Sequence, residues 1–364
     1  MSKSFVDYLK EIPDPRKPQG STQDFWKLLL IITMGIMSGY HGYRGLGRFV
    51  ERHRRSLIQQ LKLKDGKAPS YSTMRRVMMN VDYEKLNNGF NSWVREQGIV
   101  AGCAIAGDGK SLRNTVSNYD NHQQSFITMV SLFSHEQGVV VGVAIMDSKK
   151  ESEIGVIQQL ISQLKLEDHL FTLDALHCQK KTVATIVSSN NDYIIKVKRN
   201  QPKLQDAIIV QSETEPPVQK QVEDDHSRGR NIQRVVEVFT PPANIDPSWQ
   251  KVSSVIRVTR SGERDGKAFK TLSYYISSLP PNSSRLAKFI RQHWHIENRL
   301  HWVKDVIFDE DRSKQKAGNA PINFSIMKTW ILSLYRLHGF DSIKGAIERF
   351  AHDLTALSSL RNEK

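Results

Sequence analysis

Apolar positions in residues 1–98 recur every three or four residues, which is the spacing of helices that bury one face. The clearest run covers residues 23–38, and Ser21 and Thr22 ahead of it carry side chains that cap helices. We predict further helices at residues 5–12, 44–61, 73–79 and 83–96. Ser72 is the expected N-cap before residue 73. This part of the chain is therefore predicted to be an all-α domain.

The hydrophobic pattern changes near residue 99. Three continuous apolar runs, typical of strands, cover residues 99–106, 126–133 and 138–146. Short connections between them predict an antiparallel meander. Helical spacing at 154–166 and 178–188 then alternates with strand-like runs at 169–173 and 193–197. We therefore expect an α/β fold in which a mixed sheet forms the core.

The pattern of residues 200–280 differs again. Polar loops surround strand-like segments at 234–239, 251–260 and 270–277, so we predict a β-rich insertion within the α/β domain. After Pro280 and Pro281, helices are expected at residues 284–305, 321–338 and 341–358. The predicted domains are a helical region at 1–98, a core formed by 99–199 with 281–364, and the insertion at 200–280.

Charge narrows the class of partner. The chain has 364 residues with a net charge of +14, and 39% of its residues are hydrophobic. That composition excludes a wholly disordered chain. So large a positive excess is typical of proteins that bind a polyanion, most often nucleic acid. We expect DNA to be the partner.

Cysteine usage and targeting signals indicate a compartment. Cys103 and Cys178 are the two cysteines, and neither belongs to a CxxC pair, which excludes a Cys-rich zinc site. The N-terminus has no apolar signal-peptide region. The apolar stretch from Leu28 to Met37 is too short to span a membrane. We expect a cytoplasmic protein that makes no membrane contact and associates with the nucleoid when bound to DNA.

Three acidic residues are candidates for chemistry. Asp108 and Asp174 follow predicted strands, where ligands of α/β sheets often bind, although each could instead cap a turn or helix. Glu297 lies on the predicted helix 284–305 beside a buried apolar stripe, with His293, Trp294, His301 and Lys304 on the same side. A solvated helix face is the alternative for that row.

Three oxygen donors without cysteine ligands suit Mg²⁺ or Mn²⁺. Two such ions about 3.5–4 Å apart would support an in-line phosphoryl displacement, and in a basic protein the natural phosphodiester is DNA. Basic and polar residues that could contact DNA are Lys304, His293, Arg299, Lys198, Arg199, Asn200, Arg75 and Arg76. We expect Trp294 and Trp302 to be packed within the protein rather than to stack on DNA bases. His177 is a candidate neighbour of Asp174, and Glu153 needs no function at a helix N-terminus.

Several motifs together closely resemble the insertion-sequence transposases of the H-repeat-associated family. The principal stretches are AGDGKSLR at 106–113, TLDALHCQ at 172–179, DYIIKVKRNQ at 192–201 and HWHIENRLHW at 293–302. IPDPR at 12–16 and GNAP at 318–321 also match, so the resemblance covers nearly the whole chain. Jointly these motifs are highly specific, although none would be alone.

The resemblance implies a ribonuclease-H-like core with a DDE triad of Asp108, Asp174 and Glu297 that uses Mg²⁺ or Mn²⁺, with two ions expected. It implies DNA strand cleavage and transfer, with the element's terminal inverted repeats and target DNA as partners and a homo-oligomer as the acting form. The 200–280 segment resembles the insertion of related DDE transposases.

The chain departs from one signature of those relatives, Tyr-x2-Arg-x3-Glu-x6-Lys. Glu297 and Lys304 fit its second half, but His293 stands at the Arg position and Ile290 at the Tyr position. The phosphate contact of His293 and a hairpin intermediate are therefore left open.

Two other functions remain open at this level. His293, Glu297 and His301 are spaced so that they could bind zinc in a metallohydrolase, although no HExxH motif is present. The other possibility is a catalytically inactive or repurposed relative that binds DNA without cutting it. Strand cleavage with and without divalent metal distinguishes these alternatives.

Overall fold

The computed structural model describes residues 3–18, 21–100, 102–115, 126–147, 150–226, 231–264 and 267–353, together with 355 and 357. Its N-terminal part is helical, as predicted. The helices are α1 (Phe5–Glu11), α2 (Phe25–Met37), α3 (Gly42–Arg52), α4 (Arg54–Leu61), α5 (Tyr71–Asn80) and α6 (Tyr83–Glu96).

Three details of the helical prediction are wrong. Helix α2 begins at Phe25, and its N-cap position is Asp24 rather than Ser21 or Thr22. The single helix expected at 44–61 divides into α3 and α4, because the backbone at His53 leaves helical geometry (ψ 15°). The N-cap of α5 is Ser70 rather than Ser72. The Ser70 hydroxyl oxygen accepts the backbone N–H of Thr73 at 3.3 Å, which satisfies one of the free donors of the first turn.

The remaining chain alternates strands and helices. Its first half contains β1 (Ala104–Ser111), β2 (Ile127–Ser134), β3 (Val140–Asp147), α7 (Glu153–Leu164), β4 (Leu170–Leu173), α8 (Lys180–Ser188), β5 (Asp192–Val197) and α9 (Pro202–Thr214). Its second half contains β6 (Gln219–Asp225), β7 (Asn231–Phe239), β8 (Ser254–Arg264), β9 (Lys267–Ser277), α10 (Leu286–Gln292), α11 (Ala320–Leu337) and α12 (Ile343–Ala351).

Among the described residues, nine strands form one mixed sheet in the order β3-β2-β1-β4-β5-β9-β8-β7-β6. β1 pairs in parallel with β4, and β4 with β5, whereas the other neighbouring strands are antiparallel. The antiparallel arrangement predicted for the first three strands is confirmed. Residues 112–126 separate β1 from β2, so that connection is longer than the short turn expected.

Strands β6 to β9 extend the same sheet instead of forming a separate layer. β9 pairs with β5, for example Ile276 with Ile195, and the remaining strands follow outward. Strand β6 was not predicted because Val222 is the one apolar residue in its polar stretch. Helix α9 was not predicted either, although Pro202 at the first turn is a typical helix-starting residue.

Helix α11 joins the N-terminal helices to the sheet. All its residues from Ala320 to Tyr335 are buried. The Trp330 ring lies edge-on to Phe5, with centroids 5.1 Å apart. The Tyr335 hydroxyl donates to the Met37 carbonyl at 2.6 Å. A single hydrophobic core therefore runs from the helical region to one face of the sheet.

The long helix expected at 284–305 is helical over most of its length but is not an α-helix throughout. α10 ends at Gln292, and after a turn the chain continues as π-helical segments Ile296–His301 and Val303–Ile307. A π-helix is wider than an α-helix, so residues seven apart no longer share one face. In the described part of the chain, no helix combines the length and the hydropathy needed to cross a membrane.

Candidate active site

Two parallel strands bring Asp108 and Asp174 to neighbouring positions. β1 and β4 pair with Gly107 opposite Leu173, so the two aspartates are the next residue on each strand. β4 ends there, but β1 continues along β2 with Asp108 opposite Ser131. Asp108 therefore lies inside β1, not at its end as predicted. It stands where β1 stops pairing with β4.

Glu297 approaches this site from the first π-helical segment. Its side chain reaches solvent, but the loss of water where it packs against the protein, together with the charge of Asp174, raises its pKa. Burial raises the pKa of Asp108 to about 7, and the charges of Glu153, Asp174 and Glu297 add to the increase. A negative charge raises the pKa of a carboxyl group only when it lies nearby. The fold thus brings together the three acidic residues singled out in the sequence, and a fourth that was set aside.

Asp174 also has the capping role that was its alternative in the sequence. Its Oδ1 accepts the backbone N–H of Leu176 at 3.0 Å. This hydrogen bond fixes one carboxylate oxygen, while the side chain is 46% exposed. A cap and a ligand-facing carboxylate are compatible here because the second oxygen has no hydrogen bond among the described residues.

Two histidines beside the carboxylates are neutral near pH 7. His293 Nδ1 lies 3.1 Å from Thr172 Oγ1, and burial lowers its pKa to about 4. His301 Nδ1 lies 3.5 Å from Asp108 Oδ2, and burial, aided by the charges of Lys304 and Lys110, lowers its pKa to about 3. Neutral imidazoles can donate or accept hydrogen bonds but do not attract phosphate as cations would.

Lys304 is buried, whereas a contact with a DNA phosphate requires an exposed side chain. Its side chain is 2% exposed, and Nζ donates to Ser325 Oγ at 2.7 Å and Thr329 Oγ1 at 3.0 Å. The Glu310 carboxylate lies 3.6 Å away. The prediction assumed α-helical spacing from Glu297, and the π-helix turns Lys304 to the buried side instead.

The other predicted DNA contacts divide into two groups. Arg299 is partly buried, and its Nη1 donates to the His135 carbonyl at 3.1 Å, which ties the π-helix to the turn after β2. Exposed side chains are Lys198, Arg199, Asn200, Arg75 and Arg76. Asn200 lies beside the site, since its Nδ2 donates to the carbonyl of Ala175, the residue after Asp174.

The two tryptophans near Glu297 are exposed. Trp294 is 51% and Trp302 is 52% solvent-accessible, so the expectation of packed aromatics is wrong. Trp294 lies in the turn before the first π-helical segment, and Trp302 lies between the two π-helical segments. Their indole rings are available on the same stretch of chain as Glu297.

The fit of the donor set to a metal ion depends on the metal. Within the described ranges, no three histidine, cysteine, aspartate or glutamate side chains close around a single ion. The zinc set of His293, Glu297 and His301 is not assembled, since His293 contacts Thr172 and His301 contacts Asp108. The carboxylate oxygens instead form a site of mutually repelling negative charge, which suits a hard divalent cation.

Comparison with known proteins identifies the family. The family model described as Transposase DDE domain matches residues 101–334, and the model described as DDE_Tnp_1-associated matches residues 6–94. The chain belongs to the DDE transposase family. The first match covers the sheet and the helices around the candidate site, and the second covers the N-terminal helices. The recognition made from sequence motifs is therefore confirmed.

Relatives and a solved structure agree with this assignment. The chain is 30% identical to YncI of Escherichia coli O157:H7 over 95% of its length and 90% of the relative's. It is also 30% identical to YhhI of E. coli K12, over 89% and 88%. Both carry transposase names, the second with the H-repeat association. A piggyBac transposase in a synaptic complex with hairpin DNA has a similar fold, with a TM-score of 0.50, 10% identity and 98% of this chain covered, against 80% of that structure. The ribonuclease-H-like DDE fold expected from sequence is confirmed.

Proposed function

We propose that this protein is an insertion-sequence transposase that cleaves DNA strands and joins them to a target, with Asp108, Asp174 and Glu297 as its catalytic carboxylates. One observation carries the proposal. Three acidic residues, separated by up to 189 positions in the numbering, meet where β1 and β4 stop pairing, and the charges of Asp174 and Glu297 raise the pKa of Asp108. Such repulsion costs stability, and carboxylates arranged in this way are typical of functional sites.

The carboxylates suit Mg²⁺ or Mn²⁺, and the family's chemistry implies two ions. When bound, these ions would activate the attacking oxygen and stabilise the leaving one. Asp108 and Asp174 come from the rigid sheet and would hold the ions in place. Glu297, on a separate helical segment and more exposed, would complete the site from the DNA side.

The neutral histidines have a supporting role in this proposal. His293 is hydrogen-bonded to Thr172, two residues before Asp174, and therefore lies against the strand that carries the second carboxylate. It would offer a hydrogen bond to substrate without adding charge. Because it stands at the Arg position of the related signature, second-strand cleavage need not follow the route of those relatives.

DNA is the proposed partner because the net charge is +14 and exposed basic side chains occur at Lys198, Arg199, Arg75 and Arg76. The fold neighbour is titled as a synaptic complex with hairpin DNA. By analogy we propose that this protein binds the terminal inverted repeats of its own element and target DNA as a homo-oligomer. It would then act in the cytoplasm, on the nucleoid.

The test is strand cleavage of labelled DNA taken from the flanks of the protein's own gene, with Mg²⁺, Mn²⁺ or EDTA. Asp108→Asn, Asp174→Asn and Glu297→Gln should each abolish cleavage and retain DNA binding. Glu167→Gln changes an exposed carboxylate before β4 and is the matched control. A variant with full activity would remove its residue from the triad. A wild-type protein that binds these ends without metal-dependent cleavage would instead be a non-cutting DNA-binding relative.

A further inference from the structure

Glu153 occupies a place that its position at a helix N-terminus does not explain. It is the first residue of α7, after Ser152, whose Oγ accepts the backbone N–H of Gly155 at 3.2 Å. A carboxylate here could simply point to solvent and favour the helix dipole. Instead its side chain is only 20% exposed and turns towards β1.

Gly109 provides the space for the Glu153 carboxylate. A Cβ atom built on Gly109 would lie 2.6 Å from Glu153 Cδ and closer still to one of its oxygens. The backbone of Gly109 has no positive φ, so its conformation does not call for glycine. The reason is the missing side chain, which admits the carboxylate beside Asp108, the preceding residue on β1.

A fully buried histidine holds Glu153 in this position. His177 Nε2 lies 3.1 Å from Glu153 Oε1 and 3.9 Å from Asp174 Oδ1, and the ring is 0% exposed. One imidazole therefore stands between Glu153 and Asp174. An imidazole N–H placed this way orients the carboxylate it binds, as the histidine–carboxylate partners of metal sites do.

The Glu153 carboxylate lies among the other acidic side chains of the site. It stands over Gly109, the residue after Asp108 on β1, and it shares the His177 imidazole with Asp174. A negative charge at this position strengthens the attraction of the site for a divalent cation.

We propose that Glu153 is a fourth carboxylate of the active site. It is held by His177 and lies over Gly109, and its negative charge increases the affinity of the site for divalent cations. The inference rests on the proposed function, because it concerns the same site.

The direct test is Mn²⁺ binding to the full chain without DNA, measured by calorimetry and by water-proton relaxation for weak sites. Glu153→Gln should weaken Mn²⁺ binding by about 10- to 100-fold, the range seen when residues supporting metal ligands are changed. Glu151→Gln, an exposed carboxylate two residues earlier, is the matched control and should bind as wild type. Equal Mn²⁺ affinity in the wild type and Glu153→Gln would overturn the inference. So would a variant that loses thermal stability alone.

A coupled pair of variants tests whether Gly109 acts by leaving space for the Glu153 carboxylate. Gly109→Ala should weaken Mn²⁺ binding in the wild type because its methyl group displaces the Glu153 carboxylate. In a Glu153→Ala background the same change should have little further effect, since the next nearest atom, Thr128 Cγ2 at 3.0 Å, needs only a small shift. Additive losses in the two backgrounds would show that Gly109 and Glu153 act independently, against the proposal.

Cleavage assays separate this inference from the proposed function. Glu153→Gln should raise the Mg²⁺ concentration needed for half-maximal cleavage about tenfold or more. Most of its maximal rate should return at high Mg²⁺, whereas Asp108→Asn should not recover. Metal-dependent cleavage that is unchanged in Glu153→Gln would overturn the inference and leave the proposed function intact. A wild type that binds no Mn²⁺ would overturn the inference together with the cation part of that function.

Discussion

Replacing Asp108 by asparagine is predicted to stabilise the metal-free protein, and to do so more at pH 8 than at pH 5. The folded protein raises the pKa of Asp108 to about 7, above its usual value of 3.8, through burial and the charges of neighbouring carboxylates. The folded state therefore binds a proton more tightly than the unfolded state. This tighter proton binding contributes to the free energy of unfolding. Its contribution is fully present below pH 3.8 and is lost as the pH rises towards and through 7.

The magnitude follows from the same shift. Each pKa unit corresponds to about 1.4 kcal/mol, so the cost of the charged form reaches about 4 kcal/mol above pH 7 and about 1.6 kcal/mol at pH 5. Because the side chain is 29% exposed, solvent and salt reduce this difference. We expect Asp108→Asn to gain about 1–2 kcal/mol more at pH 8 than at pH 5.

Urea unfolding in EDTA at both pH values measures this gain for the wild type, Asp108→Asn and the control Glu151→Gln. The control carboxylate is exposed and should change little with pH. Mg²⁺ should reduce the difference in stability between the two proteins, because it stabilises the wild type more than Asp108→Asn. A gain that is the same at pH 5 and pH 8, or no gain at pH 8, would refute the view that the site stores negative charge.

Two other predictions concern parts of the molecule outside the carboxylates. Lys304→Met should destabilise the protein by about 3 kcal/mol in urea unfolding because it leaves Glu310 buried with less compensation, whereas Lys344→Met, at an exposed side chain of α12, should change little. Unchanged stability would contradict the buried ion pair. Arg75→Ala or Arg76→Ala should each lower the slope of log DNA affinity against log salt by about 1, while an unaltered slope would exclude that arginine from the DNA contact.

Local pattern was sufficient for much of the fold. Residues 83–96 were predicted as a helix, and α6 has those bounds, because Asp82 caps a run with one apolar face. The strands of the core are continuous apolar runs, since both faces of that part of the sheet are covered. Such features depend on neighbours in sequence, and the sequence displays them directly.

The site depends on contacts that local pattern does not contain. Asp108 and Asp174 were found as acidic residues after predicted strands and Glu297 as part of a polar row on a predicted helix, and family motifs then matched all three. The effect of the other two charges on Asp108 appeared only in the folded arrangement. Glu153 was set aside because a carboxylate at a helix N-terminus is ordinary. The signal that could have found it was the glycine directly after Asp108, but only the structure shows that the two positions meet.

The change from α-helical to π-helical geometry within the predicted helix 284–305 had no warning in the sequence, because neither proline nor glycine lies within it. Each π-helical segment instead makes tertiary contacts with the rest of the fold. Arg299 donates to the His135 carbonyl on one side, and the buried ammonium of Lys304 binds Ser325 and Thr329 on the other. A residue chosen for surface chemistry on α-helical spacing was therefore assigned to the wrong face.

An ion pair links the helical stretch that carries Glu297 to the strand that carries Asp108. Lys110 is two residues after Asp108 on β1, so both side chains lie on the same face of the sheet. Its Nζ is 2.7 Å from Asp305 Oδ1, on the second π-helical segment. The strand that carries Asp108 is thus held by a partly buried ion pair to the helical stretch that carries Glu297. The Lys110–Asp305 ion pair therefore helps to fix the separation of these two carboxylates, together with the contact between His301 and Asp108.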